Sequence, residues 1–224
     1  MIDIIGSGSS GNCYWLEGEP PLLIEAGIAP KEIQIKKDFR LSQVGVCLVT
    51  HIHKDHCKYV HKLLDRGIDC YLTKEVKEDL GLSSHRTHLI EPLKRFKAKG
   101  WVITPFDVEH DTGNPLGFLI ENNSEKIVYS GDTAFIKYKF QNLTRIMIEC
   151  NWSEETYTSP LVQKKRLLKT HFNLDKVKDF LNSNNLDKVK EILLLHISSR
   201  NGDPEYFKKE IEKIVDKKIR VRYE

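Results

Sequence analysis

Apolar residues fall into short runs separated by glycine, proline and polar turns, a pattern that predicts alternating strands and helices. The clearest run, residues 44–49, is apolar on both faces and predicts a strand buried on both sides. Residues 13–16 and 22–24 predict a hairpin that turns at residues 17–21. Further strands are predicted over residues 2–5, 68–72, 87–90, 101–106, 117–121, 127–130, 146–149, 189–195 and 218–223.

Helical spacing of apolar residues predicts one helix over residues 54–66, which Gly67 would end. Residues 29–43 predict one short helix and a loop, and residues 161–181 are helical in part, with Thr170 as the N-cap of a helix over 172–181. Shorter helices are predicted over residues 74–80 and 204–216. Two strand-rich halves, each finishing in helices, predict an α/β fold built as a four-layer αββα sandwich.

Four metal-capable side chains directly follow the buried run 44–49: His51, His53, Asp55 and His56. Positions two apart point the same way in an extended segment, so His51 and His53 can share one ion. Asp55 and His56 are adjacent and diverge, which suits a second ion. Imidazoles with a carboxylate suit zinc, manganese or iron. The alternative is a solvated histidine-rich loop, and the density of ligands after a buried strand argues against it.

Three later residues, His110, Asp132 and His196, each lie just past the end of a predicted strand. Taken singly, Asp132 would be an ordinary turn residue and His110 an ordinary loop histidine. Their repeated position at strand ends is how a sheet edge builds a metal site. The small-residue loop at residues 6–12 leaves two interpretations open: an anion-binding loop of backbone amides, or a tight turn into the next strand.

Composition narrows the class of protein. The 224 residues suffice for one domain with a sizeable core, and a net charge of +3 is too small to indicate nucleic-acid binding by itself. Five cysteines without a Cys-x-x-Cys pair predict reduced thiols and a cytoplasmic protein; Cys57 is expected in the core, with an oxidisable thiol as the alternative.

No signal peptide or membrane-length run is visible, so no membrane partner is expected. The oligomeric state stays open, with a homodimer among the options.

The motif His51-x-His53-x-Asp55-His56, with the later His110, Asp132 and His196, resembles the metallo-β-lactamase superfamily. The resemblance covers nearly the whole chain and implies a single metallo-β-lactamase-fold domain over residues 1–224. It also implies two divalent metal ions, zinc or manganese, with iron as a further option. By this resemblance His51, His53 and His110 would hold one ion, Asp55, His56 and His196 the other, and Asp132 would bridge the two.

Secondary motifs narrow the resemblance. Residues 6–14, 105–111, 149–151 and 195–205 resemble the WalJ/YycJ branch, a bacterial and phage group of predicted 5′→3′ DNA exonucleases. That branch carries Gly-His-Leu-Ser-Asn where this chain has Thr170-His-Phe-Asn, so His171 is a candidate phosphate-contacting or supporting residue; a helix-start histidine without function is equally compatible. Glu25 replaces the superfamily's usual Asp, and this change would alter how the metal ligands are oriented. The chain has no room for a β-CASP insertion.

The resemblance implies hydrolysis by a hydroxide that bridges the two ions. Asp55 and Asp132 would hold this nucleophile and accept its proton, and His110, His171 or His196 would help the leaving oxygen depart. The favoured substrate is nucleic acid or a nucleotide, and the favoured activity that of a DNA exonuclease-like phosphodiesterase. The basic runs at residues 94–99 and 164–166 add little, because such runs are usually solvated faces. The alternatives are a cyclic-nucleotide phosphodiesterase, a thioester or lactone hydrolase, and a metal-binding interaction module without catalysis.

Overall fold

A computed structural model describes residues 1–223 of the chain. The chain divides into two compact units, residues 1–105 with 112–114, and residues 106–111 with the chain from 115 onwards. Each unit has its own apolar core, and both combine strands with helices, as the sequence predicts for an α/β protein. The prediction of a single domain over residues 1–224 stays a prediction.

The first sheet has six strands, which follow one another in chain order. The strands are β1 Ile2–Gly6, β2 Cys13–Leu16, β3 Leu22–Ile24, β4 Val46–Leu48, β5 Asp69–Leu72 and β6 Thr87–Leu89. The helices are α1 Pro30–Lys36, α2 Lys54–Cys57, α3 Val60–Leu64 and α4 Lys74–Asp79, with a 3₁₀ turn at Arg40–Gln43. Strands β1 to β3 pair antiparallel and β3 to β6 pair parallel, so the carboxyl ends of β3 and β4 lie side by side.

The second sheet has seven strands in the reverse of chain order. These are β7 Phe96–Ala98, β8 Trp101–Asp107, β9 Leu116–Glu121, β10 Lys126–Tyr129, β11 Arg145–Glu149, β12 Glu191–Leu195 and β13 Arg220–Tyr223. The helices that follow β11 and β12 are α5 Leu161–Thr170, α6 Leu174–Ser183 and α7 Pro204–Glu212. Strands β10 to β13 are parallel, so the carboxyl ends of β10, β11 and β12 share one edge.

Apolar spacing explains how the helices pack. In the second unit Leu174, Val177 and Leu181 recur on one face of α6, and they join the core cluster that contains Ile192 and Leu194 of β12. In the first unit the apolar residues of α3 join a core cluster with those of β3 and β4. Each such side chain contributes about 1.5–3 kcal/mol when it is fully buried. The strands that precede the candidate ligands are therefore packed into these two apolar cores.

The single helix predicted over residues 54–66 is wrong in one respect, because the structure divides it into α2 and α3. Tyr59 separates the two helices, and its backbone N–H donates to the Ala26 carbonyl at 2.8 Å instead of continuing a helical ladder. Gly67 adopts φ 80° after α3, in agreement with its predicted role as a helix terminator. A tertiary hydrogen bond therefore overrides the helical pattern.

Residues 161–181 also differ in detail from the prediction. They form two helices, and Thr170 ends α5 instead of capping the next helix, since its hydroxyl donates to the Arg166 carbonyl. The cap of α6 is Asn173, whose side chain accepts from the Lys176 backbone N–H at 3.0 Å. Strand β7, which spans only three residues, is not among the predicted strands.

The cysteines and helices bear on two further expectations. All five cysteines are free and buried, and Cys57 lies in the core of the first unit. Burial, followed by the nearby Glu25 charge, raises the pKa of the Cys57 thiol to about 12, which supports its predicted role as a core residue. Within residues 1–223, every helix is too short or too polar to span a lipid bilayer.

Candidate metal centre

The first group of predicted ligands gathers just past the carboxyl end of β4. His51 Nε2 lies 3.1 Å from His53 Nδ1, and the His51 and His56 rings are 4.2 Å apart between centroids. Asp55 Oδ2 lies 3.4 Å from His56 Nε2. His51 and His56 are both only 1% exposed. The structure therefore brings all four predicted residues of the motif together, as a largely buried cluster of imidazoles with one carboxylate.

Glu25 supports this cluster from the neighbouring strand. Because β3 and β4 are parallel, the residue after β3 meets the residues after β4, and the Glu25 N–H donates to the Leu48 carbonyl at 2.8 Å. The Glu25 carboxylate accepts from the Thr50 hydroxyl at 2.6 Å and lies 3.2 Å from His56 Nδ1. The Thr50 hydroxyl also contacts His51 Nδ1 at 2.8 Å. The Glu25 side chain, which is longer than the superfamily's usual Asp, thus contacts His56 directly and His51 through Thr50.

Asn12 supports the same cluster from the small-residue loop. Its side-chain amide donates to Asp55 Oδ2 at 3.2 Å and lies 3.0 Å from His56 Nε2. Its carbonyl oxygen accepts from the Gly8 N–H, and the Asn12 N–H donates to the Asp55 carbonyl at 2.7 Å. Two of the loop's amides are thus engaged within the protein, which favours a supporting role over anion binding. Asn12 is not among the site residues predicted from the sequence.

The second group of predicted ligands lies at the carboxyl edge of β10, β11 and β12. His196 Nδ1 is 2.5 Å from Asp132 Oδ1, and His171 Nδ1 is 3.9 Å from Asp132 Oδ2. His110 stacks edge-on against His171 with centroids 5.4 Å apart, and its Nδ1 lies 2.7 Å from the Thr170 carbonyl. The structure therefore gathers the three late predicted ligands and His171 in one place.

Glu149 completes this second cluster, although the sequence analysis cited it only as part of a family motif. It is 2% exposed, and one carboxylate oxygen lies 2.5 Å from His171 Nδ1 and 3.5 Å from His196 Nδ1. The ligand atoms of Asp132, Glu149, His171 and His196 all lie within 4.8 Å of one another. Its position at the end of a buried strand between two predicted ligand-bearing strands is the pattern that could have identified it.

Nearby carboxylates and burial have opposite effects on the pKa values of these histidines. Burial opposes protonation of His196, but the Asp132 and Glu149 carboxylates outweigh it and raise the pKa of His196 to about 10. Burial likewise opposes protonation of His171, and Glu149 again outweighs it and raises the pKa. Burial dominates at His110 and lowers its pKa. Two buried carboxylates therefore attract positive charge to this edge.

His196 adopts a backbone conformation that is uncommon for a residue with a side chain. Its φ is 51°, in the left-handed region, and its carbonyl is held by the Asn151 side-chain amide at 2.8 Å. Such conformations cost about 1–3 kcal/mol and persist where surrounding contacts impose them. Glu25 in the first unit shares the feature, with φ 68°. Both residues follow a parallel strand directly and turn toward a ligand cluster.

The chemistry of both donor sets fits divalent metal ions. Each cluster combines imidazole nitrogens with carboxylate oxygens in a mostly buried position, the ligand set that zinc and manganese accept. Two buried carboxylates in contact with histidines also create a demand for positive charge that a cation would meet. The residues that could hold ions are His51, His53, Asp55 and His56 in the first unit, and His110, Asp132, His196, Glu149 and His171 in the second.

Known proteins match this chain over most of its length. Residues 23–197 match the family model described as the β-lactamase superfamily domain. The exodeoxyribonuclease WalJ of Streptococcus pneumoniae is 27% identical over 221 residues, which cover 89% of this chain and 82% of that protein. The exodeoxyribonuclease YycJ of Bacillus anthracis is 23% identical and covers 97% of this chain and 89% of its own length.

A solved structure confirms the predicted fold. The metallo-β-lactamase fold protein YhfI from Bacillus subtilis superposes with a TM-score of 0.75, covering 100% of this chain and 95% of that one, at 15% identity. At this level of identity the likeness concerns the fold alone. Two sheets with helices, predicted from the strand pattern and the ligand motif, are the architecture that this neighbour shares.

Proposed function

The chain belongs to the β-lactamase superfamily, and from that premise we propose that it is a metal-dependent phosphodiesterase that acts on nucleic acid as a DNA exonuclease. Membership confirms the prediction of a metal-dependent hydrolase. The observation that carries the finer proposal is the contact of His171 with the buried Glu149 beside Asp132. This contact holds an imidazole next to the candidate ligands, where a phosphoryl group would need a hydrogen-bond donor.

We assign the metal ligands as the superfamily pattern suggests. His51, His53 and His110 would hold one divalent ion, Asp55, His56 and His196 a second, and Asp132 would contact both. Zinc or manganese bound in this way would supply a hydroxide nucleophile near neutral pH and polarise the phosphoryl oxygen. The buried imidazoles and carboxylates described above support this assignment.

The side chains of the protein have distinct tasks in this proposal. Asp55 and Asp132 orient the attacking water and accept its proton. His171 uses Nδ1 in its contact with Glu149, which leaves Nε2 to donate a hydrogen bond to the phosphate or a proton to the leaving oxygen. Glu149 does not touch the substrate, and its task is to hold His171 in position.

Two observations favour nucleic acid over a small ester. The curated relatives named above are exodeoxyribonucleases, and they match nearly the full length of this chain. Helix α5, which leads directly to His171, carries Lys164, Lys165, Arg166 and Lys169 and has no acidic residue of its own. Glu154 pairs with Lys164 and Asp111 with Arg166, so the positive charge of the helix is only partly compensated. A basic helix beside the candidate site suits a polyanionic substrate.

The experiment that tests the function is hydrolysis of 5′-labelled single- and double-stranded DNA and RNA, with zinc and with manganese, beside cyclic mono- and dinucleotides. Asp132→Ala serves as the inactive reference, after circular dichroism has shown that it folds. We expect stepwise shortening of DNA by the natural protein and none by the reference. Turnover of cyclic nucleotides with polymers untouched would overturn the proposal in favour of a signal-degrading enzyme, and turnover of thioesters or lactones alone would overturn it in favour of a different hydrolase.

A further inference from the structure

The second unit contains a cavity of about 270 Å³ that the chemistry above does not use. One wall is the segment of residues 135–139, and the other consists of Phe172 and residues of α6. Phe135, Phe172 and Phe180 provide aromatic surface, and Lys137, Lys139 and Lys176 provide positive charge, with Asp179 as the acidic residue in the lining. The cavity is therefore apolar in its walls and basic at its edges.

Both walls of the cavity are tied to the second ligand cluster. Phe135 follows Asp132 by three residues, so their Cα atoms lie within about 11 Å of each other. Phe172 directly follows His171. The backbone N–H groups of Thr133 and Phe172 both donate to the same oxygen of Glu149, at 2.9 and 3.1 Å. One buried carboxylate thus contacts His171, the Phe172 backbone in one wall, and the backbone two residues before Phe135 in the other.

The lining residues indicate the chemistry of the ligand. The Phe135 side chain is 50% exposed at the rim, where its ring can meet a planar group. Lys176 Nζ is held at the wall by the carbonyls of Ala134 and Leu168, at 2.8 and 3.1 Å, and Lys137 pairs with Asp107 at 2.5 Å. An aromatic face flanked by cations is the arrangement by which proteins bind the bases of single-stranded nucleic acid.

The size of the cavity restricts the ligand further. Sites for drug-sized ligands measure about 300–1,000 Å³, so a space just below that range suits one planar ring system and not a longer ligand. The lining contains three lysines and Asp179. With Lys137 paired to Asp107, Lys139 and Lys176 still outnumber Asp179, which favours an anionic strand attached to that ring.

We propose that this cavity binds one nucleobase of a single-stranded substrate, next to the nucleotide whose phosphodiester is cut. Phe135 stacks on the base, while Lys139 and Lys176 lie toward the strand's phosphates. The inference deepens the proposed function and rests on it for the identity of the substrate. It adds a contact by which a strand without any preferred sequence could be held, because every base offers a flat face.

The test measures binding of the metal-loaded protein to short single-stranded DNA made with phosphorothioate linkages, which slow hydrolysis. Fluorescence anisotropy would compare the intact strand with strands that lack one base at successive positions. For the natural protein, we expect loss of one particular base to weaken binding roughly 5- to 100-fold. Phe135→Ala should lose that difference and Phe135→Tyr should keep it. The matched control is Phe39→Ala, which removes another exposed phenylalanine in the first unit.

The outcomes separate the cavity from the activity. The inference is overturned if the natural protein binds intact and abasic strands equally at every position, or if folded Phe135→Ala keeps the same preference. Cleavage of ordinary DNA is measured in parallel. Normal cleavage without any base dependence of binding would overturn the proposed base site and leave the proposed nuclease activity intact. Base-dependent binding without cleavage would overturn the proposed nuclease activity and support the base site.

Discussion

One carboxylate oxygen of Glu149 lies 2.5 Å from Nδ1 of His171, at the edge where three parallel strands end. The other oxygen accepts backbone N–H groups from Thr133 and Phe172. A single buried side chain therefore positions an imidazole and also the backbone that follows Asp132. Burial disfavours the charged form of Glu149, but the adjacent His171 outweighs this and lowers its pKa, so the pair is held by charge as well as by geometry.

Replacing Glu149 by Gln tests this positioning role. We expect kcat to fall about 10- to 100-fold with a smaller change in KM, because the amide keeps the size of the side chain but removes the charge that fixes His171. The measurement is steady-state hydrolysis of DNA at saturating metal, with Glu155→Gln at an exposed position as the matched control. An unchanged kcat in a folded Glu149→Gln protein would show that His171 does not need this partner.

Much of the candidate site could be predicted because its residues follow buried strands. The apolar runs before His51, Asp132 and His196 identify strands, and within each sheet the parallel pairing brings the ends of neighbouring strands to one edge. The ligand spacing of His51, His53, Asp55 and His56 is local, so a short stretch of sequence contains it. These features depend on periodicity and proximity along the chain, which sequence patterns record well.

The supporting residues were harder to find because their roles depend on contacts between distant parts of the chain. Asn12 meets Asp55 across 43 positions, and Glu149 meets His171 across 22. The break between α2 and α3 arises in the same way, from the hydrogen bond between Tyr59 and Ala26. No local pattern distinguishes these residues from ordinary loop or helix positions until the strands have been paired.

Gly27 is expected to be essential for the geometry of the first ligand cluster. A Cβ atom at this position would lie 1.7 Å from the Asp55 carbonyl oxygen and 2.6 Å from the Asn12 nitrogen, so the backbone around Asp55 would have to move. We expect Gly27→Ala to weaken zinc binding at least about tenfold and to lower the free energy of unfolding by about 1–3 kcal/mol. Competition with a chromogenic chelator measures the zinc affinity, and urea denaturation measures the stability.

The control for this substitution is Gly81→Ala. Gly81 has open space around its Cβ position but a φ of +60°, so the substitution should cost about 1 kcal/mol of backbone strain and leave zinc binding unchanged. Equal zinc affinities for Gly27→Ala and the natural protein would show that the ligand loop tolerates the displacement.

Glu17 should make the stability of the protein depend on acid pH. Burial raises its pKa, but hydrogen bonds from Arg40 and Lys37 outweigh this and lower the pKa to about 2 from an ordinary 4.5. A carboxyl whose pKa is lower in the folded state stabilises the protein above pH 4.5, and the contribution disappears as the pH falls toward 2. Since the side chain is partly solvated, we expect about 1–2 kcal/mol.

The measurement is urea denaturation of the natural protein and of Glu17→Gln from pH 7 down to pH 2. The difference in free energy of unfolding should be constant above about pH 4.5 and should shrink below it. Glu19→Gln, at the exposed turn of the same hairpin, is the matched control. If the difference in free energy of unfolding stays constant down to pH 2, Arg40 and Lys37 do not lower the pKa of Glu17.

Removal of Glu191 should destabilise the second sheet strongly. It is 1% exposed at the start of β12, and the strand register places it opposite Arg145 of β11 and Arg220 of β13. Its carboxylate pairs with both, and with Arg222 at 3.1 Å. Removing it leaves the partly buried Arg145 without this neutralising charge, so we expect Glu191→Ala to cost about 3–5 kcal/mol in urea denaturation. Arg220→Ala should cost less than about 1 kcal/mol, since that side chain is 64% exposed. If Glu191→Ala and Arg220→Ala lose similar amounts of the free energy of unfolding, then packing, and not this buried carboxylate, holds β12 and β13 together.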